Sequence, residues 1–292
     1  MDGIWFFVMN RKGLAVLEAV LSRRTKPMIA CVVSARDPNM RHDFYDEIQA
    51  ACLRRGIPFL DRADAKGVLV EYAIAVGWRW MIRDCRRLIV FHDSLLPRYR
   101  GFAPLPTALI NGDREVGVTV LFGADEYDRG DIIAQRRLPV QYPAKIQEVI
   151  ERLAPLYAEL AGELADTILA GSPLPASPQD EAAATYSPWR DEDDYRIDWS
   201  RDAAGIKRFI DAVGYPYCGA CSSLEGTPAR ILDASVEPDV KIEQRAPGKV
   251  MFVRDGLPVV ACGTGMLQLL DVRNEAGTES RLPLRNFRCR FR

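Results

Sequence analysis

Residues 88–105 read LIVFHDSLLPRYRGFAPL. Leu88 to Phe91 form an apolar run that suits a strand buried on both faces. His92 ends that run, and the polar pair Asp93 and Ser94 leads into a stiff Leu-Leu-Pro-Arg turn. The chain has only two histidines, so one spent at the end of a core strand asks for a reason. Histidine titrates near neutral pH and is the usual choice where a proton must move. A hydrogen-bonded histidine that merely caps a strand would look the same, so the flanking sequence has to decide.

Upstream, Ile4 to Met9 reads as a strand, and NRKGLAVLEAVLSRR (10–24) follows with Leu14, Leu17, Val20 and Leu21 on one helical face. PMIACVVSA (27–35) is a second strand and DFYDEIQAACLRRG (43–56) a second amphipathic helix, closed by Gly56. IPFL (57–60), YAIAVGW (72–78) and the strand ending at His92 continue the series. This alternation predicts a Rossmann-like α/β domain with a parallel sheet and helices on both faces, and ligands at the C-terminal strand ends. His92 lies at such an end. The first strand runs into MNRKGLA, without the G-x-G-x-x-G fingerprint of dinucleotide binding.

Downstream, APLPTALINGD (103–113) reads as a helix ending near Gly112, and residues 116–140 as two strands joined by the polar turn ADEYDRGD. Residues 145–171 carry a long helical pattern. SPLPASPQDEAAATYSPWRDEDDY (172–195) has the Pro, Ser and acid content of a linker, although Tyr186, Trp189 and Tyr195 are costly to leave in water. After the helix DAAGIKRFIDAV come ARILDASV, GKVMFV, PVVACG and MLQLLDV, short strands with frequent glycine turns, as in a small β-barrel. The expected organisation is a catalytic domain over 1–180, a linker over 181–203 and an OB-like barrel over 204–292.

Composition narrows the function. Net charge is −1, without the basic imprint of a nucleic-acid binder. The arginines at 281, 285, 288, 290 and 292 are read as a solvated last strand and tail. Seven cysteines without a framework suggest reduced, cytoplasmic thiols, and Cys218 and Cys221, though spaced as CxxC, lack partners for a metal site and are read as small buried residues. No apolar run approaches the ~20 residues that span a bilayer.

The blocks VFHDSLLPRYRG, GVTVLFGADEYDRGDII, ALINGD, RIDWS, PGKV and VVACGTGMLQLLDV together resemble the methionyl-tRNA formyltransferase superfamily over nearly the whole chain. That resemblance implies 10-formyltetrahydrofolate as co-substrate and an amine as acceptor. Attack of the amine on the formyl carbon makes a tetrahedral oxyanion, which needs fixed donors, while the nitrogen must shed a proton. In the family a histidine and an asparagine serve the oxyanion and an aspartate assists the histidine. The matching catalytic positions are His92 and Asp128. By the same resemblance the folate would lie against Trp80, Met81 and Ile82 and along Ala124, Asp125, Glu126 and Tyr127.

The family's asparagine is absent: its position is Val90, which offers no donor. Asp93 also departs from the Pro or Gly that the family has there. One missing oxyanion donor costs ~10²–10³ in rate. Either Ser94, Asp93 or a backbone N–H substitutes, or His92 acts alone, or the chain binds formylfolate without rapid turnover.

The acceptor is less well marked. The loop SARDPNMRHDFYD is short and mixed in charge, which disfavours tRNA, and GWRWMI and ATYSPWRDEDDYRIDW resemble the sugar-nucleotide N-formyltransferases. The expectation is formyl transfer to an amino sugar on a nucleotide, with Ser94, Tyr186 and Arg190 on the substrate side, no membrane partner and a homodimer admitted. Methionyl-tRNA, a formylfolate hydrolase and a non-catalytic folate-binding protein are the alternatives.

Overall fold

A computed structural model describes residues 3–23, 29–65, 70–82, 85–284 and 286–292. Arg285, one of the tail arginines named above, lies outside the described residues, as do the ends of the segments 10–24 and 27–35 at Arg24, Pro27 and Met28. The first module is a seven-stranded sheet. Its strands are β1 (Ile4–Val8), β2 (Ile29–Ser34), β3 (Phe59–Asp61), β4 (Val70–Val76), β5 (Cys85–His92), β7 (Glu115–Phe122) and β8 (Ile132–Pro139), and the order across it is β3-β2-β1-β4-β5-β7-β8. The short β6 (Arg100–Gly101) lies outside that sheet. The first five strands run parallel. β7 then pairs antiparallel with β5, and β8 pairs antiparallel with β7 because the chain turns straight back through residues 123–131.

The helices form where the apolar spacing predicts them: α1 (Asn10–Leu21), α2 (Tyr45–Arg55), α3 (Pro104–Asn111), α4 (Ile146–Leu169) and α5 (Ala203–Ala212). α2 carries Asp46 and Glu47 in its first turn and Arg54 and Arg55 in its last, each complementing the helix dipole. Asp202 caps α5 by accepting from the Gly205 N–H at 2.7 Å. α1 packs on α4, while α3 meets α5 and so joins the two modules. No helix forms over Gly77–Ile82, which runs as a loop along the C-terminal edge of the sheet. Among the described residues no helix is long and apolar enough to cross a membrane.

The second module is an antiparallel sheet ordered β10-β11-β14-β13-β12, from β10 (Ala220–Leu224), β11 (Thr227–Glu237), β12 (Val250–Arg254), β13 (Leu257–Ala261) and β14 (Met266–Asn274). The solvated tail expected from sequence is not what forms. The Arg292 N–H donates to Ser223 on the β10 edge at 2.9 Å, and the Phe291 N–H donates to Gly248 beside the β12 edge at 2.8 Å. One segment thus bridges both free edges and closes the sheet into a barrel. Phe291 is buried against Trp199, with ring centroids 5.7 Å apart. β10 overlaps YCGACSS, and of that motif's two cysteines Cys221 is buried while Cys218 is only half-buried. Burial first, then the hydrogen bond to Glu192, pushes the Cys221 thiol up to about 12, so it stays protonated.

The segment expected to be a linker is woven into the first module. Ser177 bridges to Ile132, and β9 (Tyr186–Ser187) pairs with β6. The Arg100 N–H donates to the Thr185 carbonyl at 2.8 Å. Residues 177–187 therefore form a strap across the turn that follows His92.

Candidate active site

His92 is the last residue of β5 and pairs in register with Thr119 of β7. Thr119 fixes the turn beyond it. Its hydroxyl donates to the Ser94 carbonyl at 2.7 Å and accepts from the Leu96 N–H at 3.1 Å, while Gln135 donates to both Thr119 and the Leu96 carbonyl at 2.9 Å. Gly117 is needed two residues earlier, since a Cβ there would meet the Arg136 carbonyl and the Leu95 side chain. The Gly-Val-Thr block therefore serves to hold the Leu-Leu-Pro turn against the sheet.

The imidazole is 7 % exposed, and its two nitrogens face different partners. Nε2 lies 2.8 Å from the Tyr99 carbonyl, which can only accept, so Nε2 carries a proton. Nδ1 lies 3.3 Å from Asp128 Oδ1. Asp128 sits on the β7–β8 connection with φ 58°, a left-handed conformation that Asp tolerates. Its other oxygen accepts from the Gly101 N–H at 2.8 Å.

Behind Asp128 the strap supplies a second layer. Gln179 Nε2 donates to the carbonyls of Asp128 and Gly130 at 2.7 Å, and its oxygen accepts from Arg100. Arg100 is fully buried and also reaches Glu181 with two bonds of 2.8 and 2.9 Å. The Arg100 hydrogen bonds hold the Glu181 carboxyl down to about 2.

Asp93, the next residue after His92, is held from the opposite direction. Its carboxylate takes the Lys12 ammonium from α1 on one oxygen and the Tyr157 hydroxyl from α4 on the other. Lys12 is only 4 % exposed. Burial, reinforced by the Asp93 charge, drives the Tyr157 phenol well above its ordinary range.

Both groups open on one cavity of about 310 Å³ along the C-terminal edge of the sheet, at the lower end of the range for ligand sites. Of the residues singled out from sequence, His92, Asp128, Trp80, Met81, Ile82, Ala124, Glu126, Tyr127 and Arg190 line it. Asp125, Ser94 and Tyr186 stand outside its wall. Ser94 is buried and spends its hydroxyl on the Arg98 carbonyl at 2.7 Å, so it offers no donor to the cavity. Tyr186 is 65 % exposed on β9. Asp93 does reach the wall but, as a carboxylate already accepting two hydrogen bonds, is an acceptor. Val90 lines the cavity as an apolar surface.

Asn10, Lys12 and Tyr217, not singled out from sequence, also line the cavity, as do Trp189 and Tyr195, marked there only as aromatics of the linker. Asn10 and Lys12 were findable, since both follow directly on the first strand at the same sheet edge as His92. Among the described residues no group of three or more His, Cys, Asp or Glu side chains could hold a metal ion.

A Rossmann-like sheet with a His–Asp pair at its ligand-binding edge, followed by a closed antiparallel barrel, defines a two-module α/β class. Within that class the comparisons are specific. Residues 67–160 match the formyl transferase family and residues 190–287 its C-terminal domain. Methionyl-tRNA formyltransferase of Moorella thermoacetica is 38 % identical over 241 residues, 77 % of this chain and 76 % of that one. That of Citrifermentans bemidjiense is 36 % identical over 197 residues, 67 % of this chain and 59 % of that one. The chain thus belongs to the formyl transferase family, although it spans about three fifths of the length of the first curated relatives it matches. The N-formyltransferase from Helicobacter canadensis, solved with folinic acid and dTDP-3-aminofucose, has the same fold with a TM-score of 0.67. It is 15 % identical, and the match covers 92 % of this chain and 98 % of that one.

Proposed function

We propose that this chain transfers the formyl group of 10-formyltetrahydrofolate to the primary amine of an amino sugar carried on a nucleotide. The observation that carries formyl transfer is the buried His92–Asp128 pair, 3.3 Å apart, opening on the cavity. The amine nitrogen bonds to the formyl carbon, the carbonyl oxygen takes up negative charge, and the bond from that carbon to N10 breaks. The balance is one proton moved from the amine to N10. A carboxylate beside an imidazole whose far nitrogen is already committed suits that relay. The folate would lie along Trp80, Met81 and Ile82 and the connection Ala124–Tyr127.

The acceptor reading is supported by other residues of the cavity wall. Arg190 lines it, and its Nε is buried with no partner among the described residues. Trp189, Tyr195 and Tyr217 share that wall. Arginine among aromatic faces suits a phosphate-linked ring system, and a net charge of −1 does not suit a polyanionic RNA. Methionyl-tRNA is the second reading, favoured by the curated relatives.

The test is an acceptor panel of UDP-, dTDP- and GDP-linked amino sugars and methionyl-tRNA, following tetrahydrofolate release and product mass. A formylated nucleotide sugar that disappears with His92→Ala is the expected result. Formyl appearing only on methionyl-tRNA transfers the assignment to that reading. Formate release without any acceptor makes the protein a hydrolase, and folate binding without release makes it a binding protein.

A further inference from the structure

The reaction proposed above needs a donor for the oxygen that turns negative, and the position two residues before His92 cannot supply one. Val90 is apolar, Ser94 is spent outside the cavity, Asp93 is an acceptor, and the Lys12 ammonium is bound to Asp93. A candidate donor stands at the same sheet edge. The Asn10 side-chain oxygen accepts from the Lys12 N–H at 3.1 Å, but its Nδ2 hydrogens meet no acceptor among the described residues. Asn10 is in the cavity wall.

Its direction is fixed by the fold. Val8 of β1 pairs with Val76 of β4, and Val76 pairs with Phe91 of β5, the residue before His92. Asn10, two residues past the end of β1, and His92, the end of β5, therefore stand at one sheet edge two strands apart, with Gly77 following the strand between them. The Met9 N–H donates to the Val76 carbonyl at 3.0 Å and ties those ends together. Asn10 has φ 58° and Gly77 φ 63°. A Cβ on Gly77 would lie 3.2 Å from Asn10 Cγ and closer still to Nδ2, so the glycine lets the carboxamide lie across the end of β4. Two strand spacings separate the β1 and β5 backbones by ~10 Å, and a carboxamide lying across the end of the middle strand covers part of that gap.

We infer that Asn10 is a catalytic residue whose carboxamide Nδ2 donates to the formyl oxygen, moving this donor from β5 to the end of β1. The assignment rests on formyl transfer being the reaction. It adds a donor to an oxygen whose charge grows during attack, so its effect falls on kcat more than on KM.

The decisive variant is Asn10→Asp, which keeps the acceptor oxygen for the Lys12 N–H and tolerates a left-handed backbone but has no N–H₂. Asn10→Gly tests the same loss without adding charge. Two readouts are taken. In the binary complex with ¹³C-formyl-labelled 10-formyltetrahydrofolate, isotope-edited infrared reads the carbonyl stretch. A shift to higher frequency is expected in both variants, at a folate Kd within about threefold of wild type. With acceptor present, kcat falls ~10²–10³-fold, and Val90→Asn added to Asn10→Gly recovers at least about tenfold. An unshifted stretch in both variants overturns the assignment, as does a kcat within about threefold of wild type in an active enzyme. A wild type inactive with every acceptor overturns the functional reading instead, and the infrared arm still decides whether Asn10 bonds to the formyl oxygen.

Discussion

His92 and Asp93 are consecutive, yet the molecule supports them from opposite sides by different means. His92 and its partner Asp128 are held mainly by main-chain groups: the Tyr99 carbonyl, the Gly101 N–H and, through Gln179, the strap of residues 177–187. Asp93 is held by the side chains of two helices, Lys12 of α1 and Tyr157 of α4. The first arrangement puts a His–Asp pair in the cavity wall. The second neutralises a charge and satisfies both of its oxygens. A polar group ready for chemistry and one closed by its neighbours can thus be adjacent in sequence, and the partners tell them apart.

The comparison makes its sharpest claim about activity. Asp128→Asn keeps the size and the Gly101 bond but removes the charge beside His92, and we expect formyl transfer to fall by ~10²–10⁴-fold with little change in the thermal midpoint. Steady-state rates beside a melting curve check this; a parallel loss of both would erase the distinction between the two groups. Lys12→Met should do the reverse on stability, because it leaves the half-buried Asp93 carboxylate without its counter-charge. The expected cost is ~1–3 kcal/mol in urea unfolding, and adding Asp93→Gly should recover most of it. A Lys12→Met protein as stable as wild type would show that the pair is not a structural closure.

The smallest effect lies in the strap. The Glu181 carboxyl is held down to about 2 from an ordinary 4.5 by Arg100. A depressed folded value means that the bond stabilises the fold fully above the ordinary carboxyl range, and that this is lost as pH falls toward 2. Because Glu181 is exposed, the gain is screened and small. An acid titration of the thermal midpoint should show a limb between pH 4.5 and 2 that Glu181→Gln flattens.

Much of the fold was legible because apolar spacing and glycine turns encode local structure directly. The alternation up to His92, the turn around Asp128 and four of the five barrel strands are cases of this. What stayed hidden was made by main-chain pairing between distant segments. The strap has the Pro, Ser and acid composition of a spacer, and its main-chain pairing with Ile132 and β6 distinguishes it. The C-terminal segment carries an arginine every second or third residue, yet its backbone seals the barrel whatever those side chains do. Lys12 was missed for another reason: a lysine in the first turn of a helix is normally solvated, and its burial follows from Asp93 lying 81 positions away.

That barrel closure has a consequence for the order of synthesis. The first sheet has all of its strands once Pro139 has been made, whereas the two barrel edges meet only through residues 289–292, about 150 residues later. At ~5–20 residues per second, that is about 8–30 s of translation. Late in that interval, from Leu224 onward for β10 and from Arg254 onward for β12, these strands stand as edges without their final partner, the state in which a sheet pairs most readily with another chain. The most association-prone moment of this barrel's synthesis thus comes after every residue lining the site of His92 has been made.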